Sequence, residues 1–287
     1  MSIQSSAVLV KLSISTWGAN KKDKAQTENV AVASGADIRE AGRYTKNLMA
    51  GTKHVKALND FAARCRLDYN LTTMPWDDRG DRVLPTSLVL DFKTRFNAKR
   101  DEFFRARDYI IKHLPNLQSI AANYLGAMYN PDDYPSADEV YSKYDWQLSM
   151  KPIPDSGHLY LDLPKQDMDE LREALDREND EKLKQAMQLP WKRLHDILTG
   201  MSAKLTTTGD AETDDKKRFH ATFLTNAHEL VELLGHMNIS NDPKLEDARN
   251  LLSATIRGQN IEVIKASQEV RDSMKAKVDN ILKQFDW

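Results

Sequence analysis

The chain has 287 residues, of which 40% are hydrophobic and 29% are charged, and its formal net charge is −2. This length and composition indicate a globular protein with a sizeable core, and the charge excludes a wholly basic nucleic-acid coat. The charge is uneven along the chain, because residues 1–112 carry 20 Lys and Arg against 13 Asp and Glu, a net +7 that leaves −9 for the remainder. The first part is therefore suited to an anionic partner.

The lack of a membrane-type segment and of a second cysteine indicates in which compartment the protein is expected. No apolar run approaches the roughly 18 residues of a transmembrane helix, and the first fifteen residues alternate in the manner of a strand instead of resembling a signal peptide. The one cysteine, Cys65, excludes an intramolecular disulfide and a cysteine-based zinc site. Its helical spacing from Phe61 favours a buried packing role over a nucleophile. The sequence thus predicts a cytoplasmic protein.

The apolar spacing in the first half of the chain changes between strand and helix patterns. Val8, Val10, Leu12 and Ile14 recur at every second position, which predicts a half-buried strand. The later spacing predicts helices over 20–34, 37–50, 54–70 and 86–114. Pro115 either ends the last of them or opens a further helix, NLQSIAANYLGAMY.

The second half begins with a predicted hairpin and continues as helices. Alternating apolar residues at 144–150 and 158–163 predict two strands, with which the first strand is expected to pair. From Pro164 onward the pattern predicts helices over 165–189, 190–206, 215–237 and 258–286, with Pro190 bending or breaking the chain between the first two and 206–215 as a polar linker.

These elements predict a fold class and a division into domains. The class is α+β and predominantly α-helical, with a small antiparallel sheet of about three strands packed with long helices. The predicted division is between a mixed α+β part, residues 1–163, and a long-helix bundle or helical arm, residues 164–287.

The stretch TTMPWDDRGDRVLPT, residues 72–86, admits three interpretations. Its aspartates are oxygen ligands of the type that Mg²⁺ and Ca²⁺ prefer, but their spacing does not match the calcium-loop pattern. Its Arg-Gly-Asp tripeptide is a short match expected by chance. The favoured interpretation is a corner between helices, in which Arg79 and Arg82 pair with the carboxylates and two prolines set the entry and exit.

No catalytic, cofactor or metal site is predicted. The stretch WGANKKDK, residues 17–24, begins like a phosphate-binding loop but lacks the second glycine and the terminal Lys-Ser/Thr pair. His220, His228 and His236 are eight residues apart, so successive side chains turn by about 80° around a helix and make a poor metal set. His-Glu-x-x-His and Gly-x-Ser-x-Gly motifs are also missing, so we expect a protein that is not an enzyme.

The strongest binding candidate is the predicted helix 86–114, because Lys93, Arg100 and Arg107 are seven residues apart and form a basic stripe. The candidate nucleic-acid-binding residues are Lys93, Arg95, Lys99, Arg100, Arg107, Lys21, Lys22 and Lys24, with Tyr and Trp side chains elsewhere as stacking platforms for single-stranded DNA. The competing interpretation is a solvated charged face. It rests on four acidic residues of the same helix that can pair with these cations, namely Asp91, Asp101, Glu102 and Asp108.

Several short stretches resemble a known family. They are ISTWGANKKDK with AGRYTKNL, MPWDDRGDRVLP, GAMYNPDDYP and KPIPDSGHLYLDL. Their order and spacing over most of residues 8–200 are similar to an uncharacterised protein family of bacteriophages and mobile plasmids, classed as a domain of unknown function. The residues that carry the resemblance best are Pro75, Trp76, Arg82, Pro85, Asn130, Pro131, Tyr134 and Pro135. Such proteins are encoded near a MoxR-type AAA+ ATPase and a protein with a von Willebrand factor A domain, so the resemblance implies a partner or client of a remodelling machine and no catalytic residues.

Two functions are expected from these patterns. The first is a non-enzymatic phage or mobile-element accessory protein that acts by protein–protein contact with an AAA+ ATPase and von Willebrand factor A system. The alternative is a single-stranded DNA-binding protein in phage replication, recombination or transcription. Inhibition of a host defence or a host polymerase also stays open. The C-terminal helices are expected to pack within the monomer or across an oligomer contact.

Overall fold

The computed structural model of the protein describes residues 3–206, 222–285 and 287. The strands in this part of the chain are β1 (Ala7–Ser15), β2 (Asn20–Lys22), β3 (Thr45–Asn47), β4 (Met74–Pro75), β5 (Arg82–Pro85) and β6 (Asp145–Pro152). The α-helices are α1 (Ile3–Ser6), α2 (Lys24–Ala33), α3 (His54–Thr72), α4 (Val89–Leu125), α5 (Ala137–Ser142), α6 (Lys165–Leu205), α7 (Thr222–Met237), α8 (Pro243–Ile256), α9 (Ile261–Ala266) and α10 (Gln268–Gln284). The predicted class, α+β and predominantly helical with a small antiparallel sheet, is confirmed.

The chain forms two compact units that are built from interleaved segments. The first unit comprises Met1–Lys11, Leu71–Leu90 and Met150–Trp287, and the second comprises Leu12–Asn70 and Asp91–Ser149. Each unit therefore combines segments that are distant in the sequence. The predicted domains, residues 1–163 and 164–287, are each one continuous segment, and that division stays a prediction.

The main sheet has four strands in the order β4-β5-β1-β6, and β2 and β3 form a separate pair. The predicted strand near the start of the chain is confirmed, and so is its pairing with the strand predicted at 144–150. β1 and β5 run antiparallel, with Ala7 opposite Pro85 and Leu9 opposite Val83. All four of these side chains are buried, which places an apolar face of the sheet in the core of the first unit.

The core of the first unit lies among its C-terminal helices. Leu194, Leu198 and Leu205 recur at helical spacing on α6 and are fully buried, together with Leu234 of α7 and Val278 of α10. Each such side chain contributes on the order of 1.5–3 kcal/mol through burial. The apolar side of α10 is therefore buried within its own unit, in one core with α6 and α7, the helices against which it was expected to pack.

The core of the second unit is aromatic. Phe92, Phe96 and Phe103 follow one face of α4 and are fully buried, and the rings of Phe92 and Phe96 stack with centroids 4.2 Å apart. Trp146 from β6 closes the cluster, with its ring centroid 5.5 Å from that of Phe103. Cys65 of α3 is also buried, as predicted, and burial raises the pKa of its thiol.

Two prolines that were expected to interrupt helices lie inside them instead. α4 continues through Pro115, and α6 continues through Pro190, so the helix ends predicted at 114 and 189 are wrong. A proline removes one helical hydrogen bond, and packing can hold the helix across that gap. At Pro115 the neighbouring Leu114 and Leu117 are buried, and the Ser119 hydroxyl donates to the Pro115 carbonyl at 3.0 Å.

Two predicted elements of other kinds are also wrong. The segment 37–50 is not a helix, because Gly42 adopts a φ of +110° and the chain then enters β3. The segment 158–163 is not a strand. After β6 the chain passes through a short 3₁₀ turn, Ser156–His158, and β6 is the last strand of the sheet among the described residues, so no strand pairs with its outer edge.

The C-terminal region differs from the prediction in its helix boundaries. The helix predicted at 258–286 is divided into α9 and α10, because the Ser267 side chain accepts from the Val270 amide and starts a new helix. α8 was not predicted, although Asp242 followed by Pro243 is a typical helix start. The predicted linker 206–215 lies, apart from Thr206, outside the described residues, as do His220 and the start of the helix predicted at 215–237.

Candidate functional site

The stretch 72–86 forms a hydrogen-bonded corner in the first unit. Asp77 Oδ1 accepts from the backbone amides of Arg79 and Asp81, each at 3.0 Å. The buried Asp81 carboxylate pairs with Lys151 at 2.5 Å. Arg82 donates to the hydroxyl of Thr73 at 2.6 Å and to its carbonyl at 2.8 Å.

The carboxylates of this corner thus take other partners than those predicted. Backbone amides hold Asp77, and Lys151 of β6 holds Asp81, whereas Arg79 and Arg82 were the predicted partners. The corner interpretation itself agrees with these contacts. Within the part of the chain that the structure describes, no group of three or more His, Cys, Asp or Glu side chains is placed to hold a metal ion.

Three of the stretches that carry the family resemblance meet at one buried lysine in the second unit. The Lys46 ammonium pairs with the carboxylate of Asp133 and with Asp23 Oδ2 at 3.3 Å, and it donates to the Met128 carbonyl at 3.0 Å. The side chain of Lys46 is only 7% exposed. We refer to Lys46, Asp23, Asp133 and Met128 as the Lys46 cluster. It fastens β3 to the start of α2 and to the turn that follows α4.

The electrostatics of the Lys46 cluster favour a structural role. A hydrogen bond from the Gln26 amide lowers the pKa of Asp23, against the effect of burial, and Lys46 lowers it further. The hydrogen bond with Asp133 raises the pKa of Lys46, again against the effect of burial. A lysine that is held protonated in this way is unsuited to nucleophilic chemistry, which requires the neutral amine.

Two cations of the predicted basic stripe lie at an ion-paired junction between α3 and α4. Arg95 donates to both oxygens of Asp68 at 2.9 Å and also pairs with Asp91 at 2.9 Å. Lys99 pairs with Asp68 as well. Burial raises the pKa of Asp68, but hydrogen bonds from Lys99 and Arg95 outweigh it, so its pKa lies below the usual value. These cations hold the two helices together.

The three residues spaced seven apart have different environments. Arg100 pairs with Asp101 at 3.0 Å. Arg107 pairs with Asp108 at 2.8 Å, and its guanidinium lies 4.1 Å from the centre of the Tyr141 ring, so its side chain is mostly covered. Lys93 is exposed and forms no ion pair in the described part of the chain. The contacts here agree in large part with the competing interpretation, a solvated charged face.

The basic run at the start of α2 is more accessible. Lys22 and Lys24 are exposed and have no ion-pair partner among the residues that the structure describes. Lys21 lies 3.9 Å from Asp133 and is half exposed. The tryptophans expected as stacking platforms are not available in this unit, because Trp17 and Trp146 are buried.

An exposed apolar segment of the first unit begins in the predicted strand 158–163 and continues into α6. Tyr160, Leu161, Leu163 and Leu171 are 78%, 54%, 44% and 41% exposed. The backbone here is held in place by Arg172, which donates to the Leu159 carbonyl at 3.2 Å.

Acidic residues are interspersed with this apolar segment in the sequence and follow it. Residues 162–181 contain nine Asp and Glu against three Lys and Arg. The exposed members nearest to the apolar side chains in sequence are Asp162, Asp167, Asp169, Glu170 and Glu173. We refer to these five residues with Tyr160, Leu161, Leu163 and Leu171 as the acidic–apolar face. The sequence signal that could have found it is the acidic composition of residues 162–181.

Comparison with known proteins gives no match, so the family resemblance stays a prediction. No family model matches the chain, and neither a curated protein nor a solved structure matches it. In the described residues, no helix has the length and apolar character to cross a membrane.

Proposed function

We propose that this chain is a non-enzymatic cytoplasmic protein that acts by protein–protein contact, and that the acidic–apolar face is a contact surface. The observation that carries the proposal is the exposure of four large apolar side chains within a short, acidic segment. Apolar side chains that cluster on a surface with a charged margin are typical of interaction sites.

The chemistry of the face defines its partner. The apolar side chains require an apolar patch on the partner, and the surrounding carboxylates require lysines or arginines at the margin of that patch. The family resemblance suggests two candidate partners, because members of that family are encoded near a MoxR-type AAA+ ATPase and a von Willebrand factor A protein. We propose one of these as the partner, and a phage or mobile element as the source of the chain.

The proposal is tested by measuring binding of the purified chain to each purified candidate, before and after Leu161→Asp with Leu163→Asp. Because these side chains are exposed, the variant is expected to fold and to lose affinity by about tenfold or more. The matched control is Val263→Asp, which changes a 49% exposed apolar residue of the same unit and is expected to leave binding unchanged. The proposal is wrong if neither candidate binds the parent chain. It is also wrong if the variant with Leu161→Asp and Leu163→Asp binds as tightly as the parent.

A second candidate function is single-stranded DNA binding. The observation that favours it is the exposure of Lys22, Lys24 and Lys93 without ion pairs in the described part of the second unit. Free cations of this kind neutralise phosphates and release counterions, so binding would weaken steeply as salt is raised.

Fluorescence anisotropy with labelled single-stranded DNA of about 30 nucleotides at two salt concentrations tests this function. Charge reversal of Lys22, Lys24 and Lys93 to Glu is expected to weaken binding and to reduce its salt dependence. Lys56→Glu is the control, because Lys56 is exposed but already paired with Asp60 at 2.6 Å. If the parent does not bind at low salt, this function is excluded.

A further inference from the structure

A groove lies between α3 and α4 in the second unit. The two helices run antiparallel, because Asp68 near the end of α3 pairs with Arg95 and Lys99, whereas His54 at its start lies against Tyr109, with ring centroids 5.0 Å apart. Beyond the ion-paired end the helices enclose an open groove of about 460 Å³. The groove extends from His54 to Arg64, which is about 15 Å along a helix.

Most of the side chains that line the groove are apolar, and we refer to the two alanines among them as its floor. Ala57 of α3 and Ala106 of α4 both line it, and their short side chains leave the space open. The buried residues Leu58 and Ile110 also line the groove, and so does Phe61. An apolar channel of this length matches two to three turns of a packed helix.

Two opposite charges line the groove without neutralising each other. Arg64 belongs to α3 and Glu102 to α4, and neither forms an ion pair within 4.0 Å among the described residues. The Arg64 guanidinium lies over the ring of Phe61, 5.9 Å from its centre. A ligand that follows the groove therefore meets a cation on one wall and an anion on the other.

We propose that this groove binds an amphipathic helix of a partner protein. The apolar side of that helix would lie on the alanine floor, with an acidic residue on the side of Arg64 and a basic residue on the side of Glu102. Opposite charges on the two walls select one direction of the bound helix, as charged flanking positions do in coiled coils. The site shares no residue with the acidic–apolar face, so a chain with both sites can bring two partners together.

The probe is a fluorescein-labelled helical peptide of about 16 residues, with leucines at i, i+4, i+7 and i+11, glutamates on one flank and lysines on the other. Its binding is measured by anisotropy against the full chain. Ala57→Gln with Ala106→Gln fills the floor with neutral residues that are good helix formers, and is expected to weaken binding by about tenfold or more. Ala63→Gln with Ala98→Gln changes exposed alanines of the same helices outside the groove and is expected to have no effect.

Exchange of the charges is the more specific test. Arg64→Glu and Glu102→Arg are each expected to weaken peptide binding about threefold to fivefold, because each leaves two like charges on the walls. The double variant restores one acid and one base, so the peptide is expected to bind again, in the reverse direction. Circular dichroism confirms that the variants stay helical.

Three outcomes overturn the proposal. The first is that the peptide does not bind, and the second is that filling the groove leaves its affinity unchanged. The third is a dimer in sedimentation experiments that Ala57→Gln with Ala106→Gln dissociates, which would assign the groove to a second copy of this chain. Leu161→Asp with Leu163→Asp is expected to leave peptide binding unchanged, so failure of this site and failure of the proposed function can be distinguished.

Discussion

Replacement of Lys46 by methionine removes the charge at the centre of the Lys46 cluster and keeps the apolar stem of the side chain. The ammonium contacts three groups, the carboxylates of Asp23 and Asp133 and the carbonyl of Met128. All three lose a donor in the variant. We expect the segment from β2 to β3 to open more readily, because its base is held by these contacts.

The expected magnitude follows from the number of contacts. A hydrogen bond contributes about 1 kcal/mol net, so three contacts amount to about 3 kcal/mol. The carboxylates retain some access to water, with side chains 14% and 13% exposed for Asp23 and Asp133, which reduces the cost of leaving them without a cation. We therefore expect the free energy of local opening to fall by about 2–3 kcal/mol, which corresponds to roughly 30-fold to 140-fold faster amide exchange.

Hydrogen exchange measured by mass spectrometry is the appropriate assay, because it reports the segment and not the whole chain. The informative amides are those of Asp23, which donates to the Tyr44 carbonyl at 3.1 Å, and Leu48, which donates to Ala19 at 2.8 Å. The control is Lys56→Met, because the side chain of Lys56 is 78% exposed. We expect the exchange of the Asp23 and Leu48 amides to be unchanged in this variant. Unchanged exchange of the Asp23 and Leu48 amides in the Lys46 variant would refute the reasoning.

The same cluster has a defined pH range. The folded pKa of Asp23 is lowered, so its contribution to stability is present above the unfolded value of 3.8 and is lost as the pH falls through the folded value. The folded pKa of Lys46 is raised, so its contribution is present below 10.5 and is lost as the pH rises through the folded value. Between pH 3.8 and pH 10.5 both groups stay charged, so we expect the Lys46 cluster to protect the amides of this segment equally throughout that range.

Three further outcomes are expected from denaturant unfolding of variants in the second unit. Phe103→Ala leaves a cavity in the aromatic core and is expected to cost about 3–5 kcal/mol. Pro115→Ala is expected to stabilise the chain by about 1 kcal/mol, because α4 already continues through this position and gains a hydrogen bond; a loss of stability would contradict this. Asp68→Asn is expected to cost about 1 kcal/mol at neutral pH and nothing at acid pH, because Asp68 has a lowered pKa and pairs with Arg95 and Lys99 only when ionised.

The candidate sites were predictable only in part. The resemblance stretches contain Asp23, Lys46 and Asp133, but no local pattern indicates that these residues meet, because they lie far apart in the sequence. The basic stripe was visible as a seven-residue spacing, but that spacing could not reveal that Arg107 lies against Tyr141. The ring of Tyr141 comes from another helix, and which ring or carboxylate a cation meets depends on the packing.

The sequence by itself determined the class of the fold and its longest elements. The alternation in β1 and the seam of Phe92, Phe96 and Phe103 on α4 were readable because strand and helix periods are local, and each buried side chain marks one step of the period. The absence of a disulfide within the chain was equally determined, since Cys65 has no second cysteine to pair with.

The tertiary structure alone decided how these elements combine. β4 and β5 have two and four residues, which is too few for a period, so their place beside β1 is fixed by pairing across the sheet. Pro115 and Pro190 continue their helices because packing offsets a missing hydrogen bond, and no local rule contains that packing energy. The exposure of Tyr160 and Leu161 was also decided by the tertiary structure, because residues 158–163 do not pair with the outer edge of β6 and the alternating pattern does not supply that pairing.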